Sequence, residues 1–472
     1  MRLLDRGVGL ISTLILARLL LPADFGLVAM AITVTGLLET LTQFGFESAL
    51  IRKATVEKKD YDTAWTLYVI LGLALGIAIA VAASPAAAFY RTPDVAPILY
   101  VLAIAPVLSG FENIGIVDFR RRLEFHWDFT FQASKRLAGA MVTIPLAFYW
   151  HSYWALIAGM LTSRLVGLGL SHAMSPHRMS LSLATAREIL GFSMWLLLHN
   201  LLFFLRVRSA SLFLGRFHGP TSVGGFTMAA DIASLPNTEL VMPLDRALLP
   251  SYSTLTQQAD RLQSAFIRVL ALIALVSIPA SAGLAAVADL AVPILLGPQW
   301  TETVPAMKIL ALFGVTIALQ MNCGAILVAL GKPRLQAGIS LIQVMTMFAL
   351  LFLLVPSKGM TGAAIAYLIA GVISLPISYA VTLSNLRCSA DRLLAAVWRP
   401  LLGSAVMYAA LQGPFFPFAS SPGNLMEATA LLAAKIVLGA LVYMTVIAVA
   451  WMVAGRPEGA ERDLVRLVLR KL

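Results

Sequence analysis

Charged residues are scarce in this sequence. Asp, Glu, Lys and Arg make up only 12% of its 472 residues, whereas 59% are apolar and the mean hydropathy is +0.84. A soluble globular domain carries about 25% charged residues, because polar side chains must cover a surface that faces water. The composition therefore excludes a soluble protein and predicts a chain embedded in lipid. No nucleic-acid partner is predicted from the net charge of +11, because the position of the charges matters more than their sum.

Cysteine is nearly absent as well. The two cysteines, Cys323 and Cys388, lie far apart and show neither a CxxC motif nor Cys/His spacing, so no disulfide framework and no zinc site is predicted. The sequence also lacks HExxH and GxSxG, and 331–333 (Gly-Lys-Pro) lacks the spacing of a phosphate-binding loop. We predict no catalytic residue, no metal site and no cofactor.

One motif known from sugar-transferring enzymes is present. Asp60, Tyr61 and Asp62 form a D-x-D sequence, which glycosyltransferases use to hold a metal ion and a sugar diphosphate. Because the motif lies among lysines in a short connection, we interpret it as part of a solvated loop.

Long apolar runs dominate what is present. A helix needs about 20 mainly apolar residues to cross about 30 Å of hydrocarbon. Runs of this kind, divided at Pro, Gly and charge clusters, predict fourteen spanning helices and an all-α polytopic membrane protein. The predicted spans are 7–21, 24–49, 64–84, 95–117, 129–150, 152–174, 189–215, 221–249, 264–285, 303–328, 334–355, 360–385, 393–415 and 427–454.

The distribution of Lys and Arg predicts the orientation of these spans. If the N-terminus is cytoplasmic, most of the 35 basic residues fall in the connections on that same side, including those at 52–59 and 120–122. Basic flanks of a span resist translocation. We therefore predict that both termini are cytoplasmic.

The chain also contains an internal repeat. Residues 14–50 align without a gap with 212–248, and eleven of the 37 positions are identical. Four of the identities are Arg18 with Arg216, Pro22 with Pro220, Gly26 with Gly224, and Met30 with Met228. The copies begin six spans apart and enter the membrane in the same direction, which is a parallel repeat.

A parallel repeat predicts two pseudo-symmetric six-helix lobes. We place them at 1–175 and 176–386, followed by two additional helices and a basic cytoplasmic tail at 387–472. Measured against the second copy, the first helix is expected to be truncated at Met1. Two lobes that rock about a central cleft favour a transporter, because rocking exposes the cleft to each side in turn.

Several strings resemble Wzx-type polysaccharide flippases. They are LILARLLLPADFGLVAMA from Leu14, GFESALIRK, LFLGRFHG, LPNTELVMPLDRALLPSYSTL, LLGPQW and LVALGKPRLQ. They are most similar to the colanic-acid exporter (WzxC-like) branch of the multidrug/oligosaccharidyl-lipid/polysaccharide (MOP) exporter superfamily. Relatives usually begin earlier, and they often carry Asp where this chain has Ala210.

The resemblance implies a MATE-like, MOP flippase fold of twelve to fourteen helices in a bacterial inner membrane. It further implies a transporter that moves polyprenyl-pyrophosphate-linked oligosaccharide from the cytoplasmic to the periplasmic leaflet. The implied partners are this lipid-linked oligosaccharide, the bilayer and, as further candidates, other polysaccharide-assembly membrane proteins. No ion-coupling role can be transferred to position 210, because it holds Ala.

Three arginines are predicted near or just past the middle of their spans. A charge at mid-membrane costs about 2.5–3.5 kcal/mol on insertion scales, so Arg164, Arg206 and Arg208 are expected to face protein or a wet cavity. A guanidinium group suits pyrophosphate, because its planar donor fork binds phosphate oxygens in pairs. His199 shares a helix face with Arg206, which we favour over Arg208. The alternative is that each arginine pairs with a buried acid and only fixes helix packing.

Three further arginines have weaker cases. Arg18 and Arg216 are related by the repeat, but they lie near the predicted periplasmic ends of their helices, where snorkelling to the interface is the favoured interpretation. Arg52 lies at the predicted cytoplasmic mouth of a span. It could attract an incoming head group or serve only as an orientation charge.

Four acids are interpreted as intramembrane. Glu39, Glu112, Asp231 and Glu239 are candidates for ion coupling, because an intramembrane carboxylate can hold a proton or a sodium ion. The alternative for each is that it neutralises an arginine.

Two other functions compete with the flippase. A MATE-like, ion-coupled drug or cation antiporter needs an acidic and aromatic site, whereas the mid-membrane charges here include three arginines. A membrane-embedded polysaccharide polymerase usually needs a large extracytoplasmic loop with catalytic residues, and no predicted connection is long enough to supply one.

Overall fold

The structure is a computed structural model, and it describes residues 2–42, 46–53, 55–186, 194–412 and 424–455. Throughout these ranges the regular secondary structure is helical. The chain divides into two compact units, Met1–Gly225 (unit 1) and Phe226–Leu472 (unit 2).

Unit 1 is built from nine complete helices and the first part of a tenth within the described residues. They are α1 (Arg2–Leu19), α2 (Pro22–Leu41), α3 (Phe46–Arg52), α4 (Lys58–Tyr90), α5 (Val95–Leu102), α6 (Ile104–Gly110), α7 (Val117–Arg121), α8 (Phe125–Trp150), α9 (Trp154–Met174) and α10 (Met194–Ala233). A short 3₁₀ turn, Ile114–Ile116, precedes α7.

Unit 2 begins within α10 and continues through a π-helical turn, Asn237–Val241. The helices that follow are α11 (Met242–Leu255), α12 (Ala259–Leu295), α13 (Val304–Ala329), α14 (Pro333–Leu386), α15 (Ala390–Gln412) and α16 (Leu425–Val453). A 3₁₀ turn, Pro298–Thr303, leads into α13.

Each of the fourteen predicted spans coincides with helix in the described residues, so the prediction of an all-α polytopic membrane protein is confirmed. Among the residues that the structure describes, eight helices are long and apolar enough to cross a membrane by length and composition alone. A ninth candidate is the region from α5 to α7, where the chain bends by 65°. The second predicted span ends early, because α2 stops at Leu41 and α3 starts at Phe46.

Two of the long helices run from one predicted span into the next, and both are broken at glycine. Gly219 divides α10 with a φ of +78°, and Gly359 divides α14 with a φ of +53°. Residues other than glycine rarely adopt such positive φ angles. Pro220 follows the first break and begins the next helical segment, where its missing N–H would have no intrahelical partner in any case.

Small residues bring α4 against the backbone of α6. A Cβ atom on Gly72 would lie 2.5 Å from the Pro106 carbonyl oxygen, and one on Gly76 would lie 2.7 Å from the Ala103 carbonyl oxygen. The two glycines are four residues apart and therefore lie on one face of α4. Their spacing allows the helices to pack without side chains between them.

The repeat-related glycines make a reciprocal contact within unit 1. A Cβ atom on Gly26 would overlap the Pro220 carbonyl oxygen, and one on Gly224 would overlap the Pro22 carbonyl oxygen. Each copy of the repeat thus places its glycine against the proline of the other copy. The two identities that align in the sequence therefore meet in space.

The last two helices pack on α12 in unit 2. Tyr443 donates a hydrogen bond to the Leu275 carbonyl oxygen at 2.7 Å, and Gln412 donates one to the Ala286 carbonyl oxygen at 3.0 Å. An apolar cluster surrounds these bonds and includes Leu275, Ala282, Ala286, Met407, Leu411, Tyr443 and Ile447. α15 and α16 are therefore joined to unit 2 by both apolar and polar contacts.

Candidate functional site

A cavity of about 670 Å³ lies within unit 1. Its wall is formed by residues from α2, α3, α4, α6, α7, α8, α9 and α10. The charged residues among them are Glu39, Glu47, Glu112, Arg120, Asp128, Lys135 and Arg164. Such a concentration of charge is unusual in an apolar bundle, since charged side chains in membrane proteins normally face protein or water.

The first half of α8 supplies one polar wall of this cavity. Asp128, Gln132 and Lys135 are spaced four and three residues apart, so they lie on one helix face. The Lys135 ammonium also lies 4.9 Å from the centroid of the Phe131 ring, which lines the cavity too. This face of α8 therefore turns charged and amide groups towards the cavity.

Lys135 forms an ion pair with Glu112. Their nitrogen and oxygen atoms lie 2.8 Å apart, and the side chains are only 12% and 14% exposed. The pair lies against α9 at Gly167, where an added Cβ would stand 2.6 Å from both Glu112 Oε1 and Lys135 Cε. Glu112 is one of the predicted ion-coupling acids, and here its carboxylate is held by a lysine.

Arg120 links two acids at the edge of the cavity. Its guanidinium donates to Glu47 at 3.0 Å and to Asp128 at 3.1 Å. These side chains are between 28% and 44% exposed, so solvent screens their attraction. The bridge nevertheless ties α3, α7 and α8 together through one side chain.

Arg164 and Glu39 face the same cavity from α9 and α2. Arg164 lies close enough to Glu39 to act on its carboxylate electrostatically. The structure therefore brings one predicted pyrophosphate ligand together with two of the four predicted ion-coupling acids, Glu39 and Glu112.

The other candidates inside predicted spans lie elsewhere. Arg206 and Arg208 are partly buried on α10 and do not line this cavity, and the Arg206 guanidinium stacks 5.4 Å from the Phe203 ring centroid. Asp231 is exposed near the end of α10, and Glu239 lies in the π-helical turn of unit 2.

The structure describes the side chains of two of the three weaker arginine candidates. Arg216 donates to the Phe89 carbonyl oxygen at 3.1 Å, and Arg18 is exposed near the end of α1. Arg52 is the last residue of α3 and His199 lies in α10, but their side chains lie outside the described part of the structure.

The D-x-D sequence is not a solvated loop, so that interpretation is wrong. It lies in the first turns of α4, where Asp60 is 1% exposed and Asp62 is 6% exposed. Asp60 pairs with Lys53 at 2.8 Å, and Asp62 accepts hydrogen bonds from the Ser180 amide at 2.9 Å and its hydroxyl at 2.7 Å. These carboxylates are buried because residues 175–186, which we call the linker, lie against the start of α4.

Several residues of the cavity were not predicted as site residues. Arg120 was counted only among the basic residues of a connection, and Glu47, Asp128, Gln132 and Lys135 were not named as candidates. The spacing of Asp128, Gln132 and Lys135 could have predicted a polar face of α8 from the sequence. With them included, the wall carries four carboxylates and three basic groups, which the arginine candidates alone did not indicate.

A known family matches this chain. The family described as "Polysaccharide biosynthesis protein" matches residues 15–305. The chain is also 23% identical over 399 residues to the lipopolysaccharide biosynthesis protein WzxC of Escherichia coli (strain K12). The match covers 84% of this chain and 81% of WzxC.

Two solved transporter structures share the fold. The inward closed conformation of the lipid II flippase MurJ has a TM-score of 0.75 at 14% identity and covers 98% of both chains. An inward-facing multidrug resistance MATE family transporter of the MOP superfamily has a TM-score of 0.62 at 16% identity, covering 80% of this chain and 94% of that chain. At these identities the likeness concerns the fold alone, and it confirms the predicted MATE-like fold. By the match to residues 15–305, this multi-pass membrane protein belongs to the family of polysaccharide biosynthesis proteins.

Proposed function

We propose that this chain is a transporter, and not an enzyme, that flips a polyprenyl-pyrophosphate-linked oligosaccharide from the cytoplasmic to the periplasmic leaflet of a bacterial inner membrane. The family, the similarity to WzxC and the fold shared with the lipid II flippase support this proposal. The observation that carries it is the charged cavity of unit 1, because an amphiphile with a polar head needs a polar path through an apolar bundle.

The cavity offers the chemistry that such a head group needs. Arg164 presents a planar donor fork to pyrophosphate oxygens, and Gln132 and Asn200 supply amide donors and acceptors for sugar hydroxyls. Carboxylates such as Glu47 and Asp128 can accept hydrogen bonds from those hydroxyls. The volume of about 670 Å³ lies in the usual range of small-molecule sites. The prenyl tail has no need of the cavity and stays in lipid.

Alternating access of two lobes is the proposed mechanism. The lobes are residues 1–175 and 176–386, and both termini face the cytoplasm. We propose Arg206, Arg208, Arg52 and His199 as further head-group contacts along the path. Other membrane proteins of polysaccharide assembly are candidate partners.

Ion coupling is assigned first to Glu39. Glu39 faces the cavity beside Arg164, so a change in its ionisation alters the charge that the substrate meets. Glu112 ranks lower because Lys135 holds it, and Asp231 and Glu239 remain candidates within unit 2.

The test is leaflet assignment of a labelled polyprenyl-pyrophosphate oligosaccharide in proteoliposomes. We expect Arg164→Ala to reduce translocation by at least tenfold, because one hydrogen-bonded charge contact is worth about 1.5–3 kcal/mol. Arg261→Ala is the matched control, since it removes the same group from an exposed helix position outside the cavity, and should translocate nearly as wild type does. Equal translocation by wild type and Arg164→Ala would reject the head-group role of this cavity.

A MATE-like cation antiporter is the second candidate. The observation in its favour is that carboxylates outnumber basic groups in the cavity wall. Ion-driven efflux of a cationic dye, in proteoliposomes where folded wild type moves no lipid-linked oligosaccharide, would establish the antiporter instead.

A further inference from the structure

Two further cavities are lined by the linker. The larger measures about 440 Å³ and the smaller about 280 Å³. Both are lined by the same four linker residues, 176–179. The larger is also lined by Trp65, Asn113 and His172, and the smaller by Lys58.

The linker wall is fixed in place by hydrogen bonds to its neighbours. Asn113 donates to the His177 carbonyl oxygen at 2.8 Å, and Thr66 accepts from the Ser182 amide at 2.9 Å. Asp62 accepts hydrogen bonds from the amide and the hydroxyl of Ser180. The cavities are therefore bounded by an ordered segment.

The acids near the cavities are already engaged. Asp118 accepts from Tyr61 and lies within 3.4 Å of side-chain nitrogens of Arg121, Arg122 and His177. Asp62, the carboxylate in the smaller cavity wall, accepts two bonds from Ser180, as described above. In the described residues, the larger cavity has no acidic lining residue at all.

Basic and donor groups dominate what remains. Arg178 borders both cavities and is exposed, as is Lys58 in the smaller one. His172 lines the larger cavity. The positive charges of Arg178 and Lys58 attract an anion.

Trp65 adds a donor that has no partner. Its indole nitrogen is buried and makes no hydrogen bond with any described residue, although Trp65 lines the larger cavity. An indole N–H can only donate, so it needs an acceptor oxygen. Buried polar groups without partners commonly mark a missing water, ion or ligand.

We propose that the larger of these cavities binds a phosphate group through Arg178, His172 and the Trp65 N–H, while Lys58 adds positive charge from the neighbouring cavity. The source is either the head group of an anionic phospholipid or a free phosphate anion. Under the orientation proposed above, the site lies at the cytoplasmic membrane surface, where anionic lipid head groups concentrate. The site is separate from the charged cavity, and its occupancy is independent of which substrate the chain carries.

The test measures ligand-dependent thermal unfolding of the full chain in a neutral detergent. Short-chain phosphatidylglycerol, inorganic phosphate and diacylglycerol, which has no phosphate, are titrated separately. We expect stabilisation by phosphatidylglycerol but not by diacylglycerol. Stabilisation by inorganic phosphate as well would identify a free anion as a sufficient ligand, and its failure would identify the lipid head group as the source.

Two conservative variants locate the site. Trp65→Phe keeps an aromatic ring but removes the N–H, and Arg178→Gln removes the charge. Each should raise the half-saturating concentration of the stabilising ligand by about tenfold. This is the effect expected from losing one hydrogen bond to a charged group. Trp127→Phe, on an exposed position of α8, and Arg261→Gln, on an exposed position of α12, are the matched controls.

Three results would overturn the proposal. They are no stabilisation by either phosphate-bearing ligand, equal stabilisation by diacylglycerol, and unchanged half-saturation in both cavity variants. Native mass spectrometry of the same samples gives an independent count of bound phosphatidylglycerol, which should fall in the two cavity variants and not in the controls.

Discussion

At the scale of single residues, the ion pair of Lys135 and Glu112 is the least exposed charged contact in the wall of the unit 1 cavity. Removal of one partner leaves the other charge without compensation in a site that water reaches poorly. Such a loss differs from the loss of a surface pair, whose partners can be hydrated. The pair therefore contributes to stability mainly through the penalty that its disruption incurs.

Lys135→Met should lower the free energy of unfolding by about 2–3 kcal/mol, somewhat below the range for fully buried pairs because both side chains are slightly exposed. Lys59→Met is the matched control. Lys59 pairs with Glu57 at 2.9 Å, but these side chains are 53% and 67% exposed, so its loss should have little effect. Denaturant unfolding in detergent would show the difference, and equal losses in the two variants would contradict it.

Gly167 on α9 lies against this ion pair and leaves space for both side chains because it has no Cβ atom. Gly167→Ala adds a Cβ that meets Glu112 and Lys135, so these side chains must shift and the cavity wall must change. Gly169→Ala adds the same group two residues later, where no atom lies within 4 Å. We expect Gly169→Ala to be neutral or to stabilise by about 0.5–1 kcal/mol, as alanine does in helices, and Gly167→Ala to be less stable than that control. Two variants of equal unfolding free energy would show that the pair adjusts without cost.

At the scale of elements, the linker is held to α4 by side-chain hydrogen bonds. Ser180→Ala removes the 2.7 Å bond to Asp62, which is worth about 0.5–1.5 kcal/mol. Hydrogen exchange at the linker amides should therefore accelerate by roughly two- to tenfold. Ser182→Ala is the matched control, since its hydroxyl bonds only within the linker while its amide still reaches Thr66. Unchanged exchange in Ser180→Ala would mean that this bond does not hold the linker.

The fourteen predicted spans coincide with helix because they were read from long apolar runs in the sequence. The ion pairs could not be predicted, because Lys135 and Glu112 are 23 residues apart and Arg120 and Glu47 are 73 apart. Local patterns do not report such contacts. The D-x-D sequence was misread for the same reason, since Asp62 is buried by Ser180, 118 residues later.

At the scale of the whole molecule, the proposed orientation can be checked with the two native cysteines. Cys388 follows α14 and is partly exposed, whereas Cys323 is buried in α13. With both termini cytoplasmic, a membrane-impermeant thiol reagent should label Cys388 in inside-out vesicles and leave it unlabelled in right-side-out vesicles. Cys388→Ser should abolish the labelling.

A cysteine on the other side completes this experiment. Ser152 lies between α8 and α9, in a connection that the same orientation places in the periplasm. Cys388→Ser combined with Ser152→Cys should reverse the labelling pattern. Labelling of Cys388 from the outside would invert the proposed topology and with it the proposed direction of transport.

The reciprocal contact of Gly26 with Pro220 and of Gly224 with Pro22 bears on how the chain arose. In a two-fold symmetric pair of identical one-repeat chains, a single gene position supplies both glycines, so one substitution introduces two steric overlaps at once. When the two copies are fused in one gene these effects are separate, because each glycine then makes one of the two contacts. In the fused chain a substitution at either glycine therefore introduces one overlap, and the two copies can differ at every position that this contact does not fix.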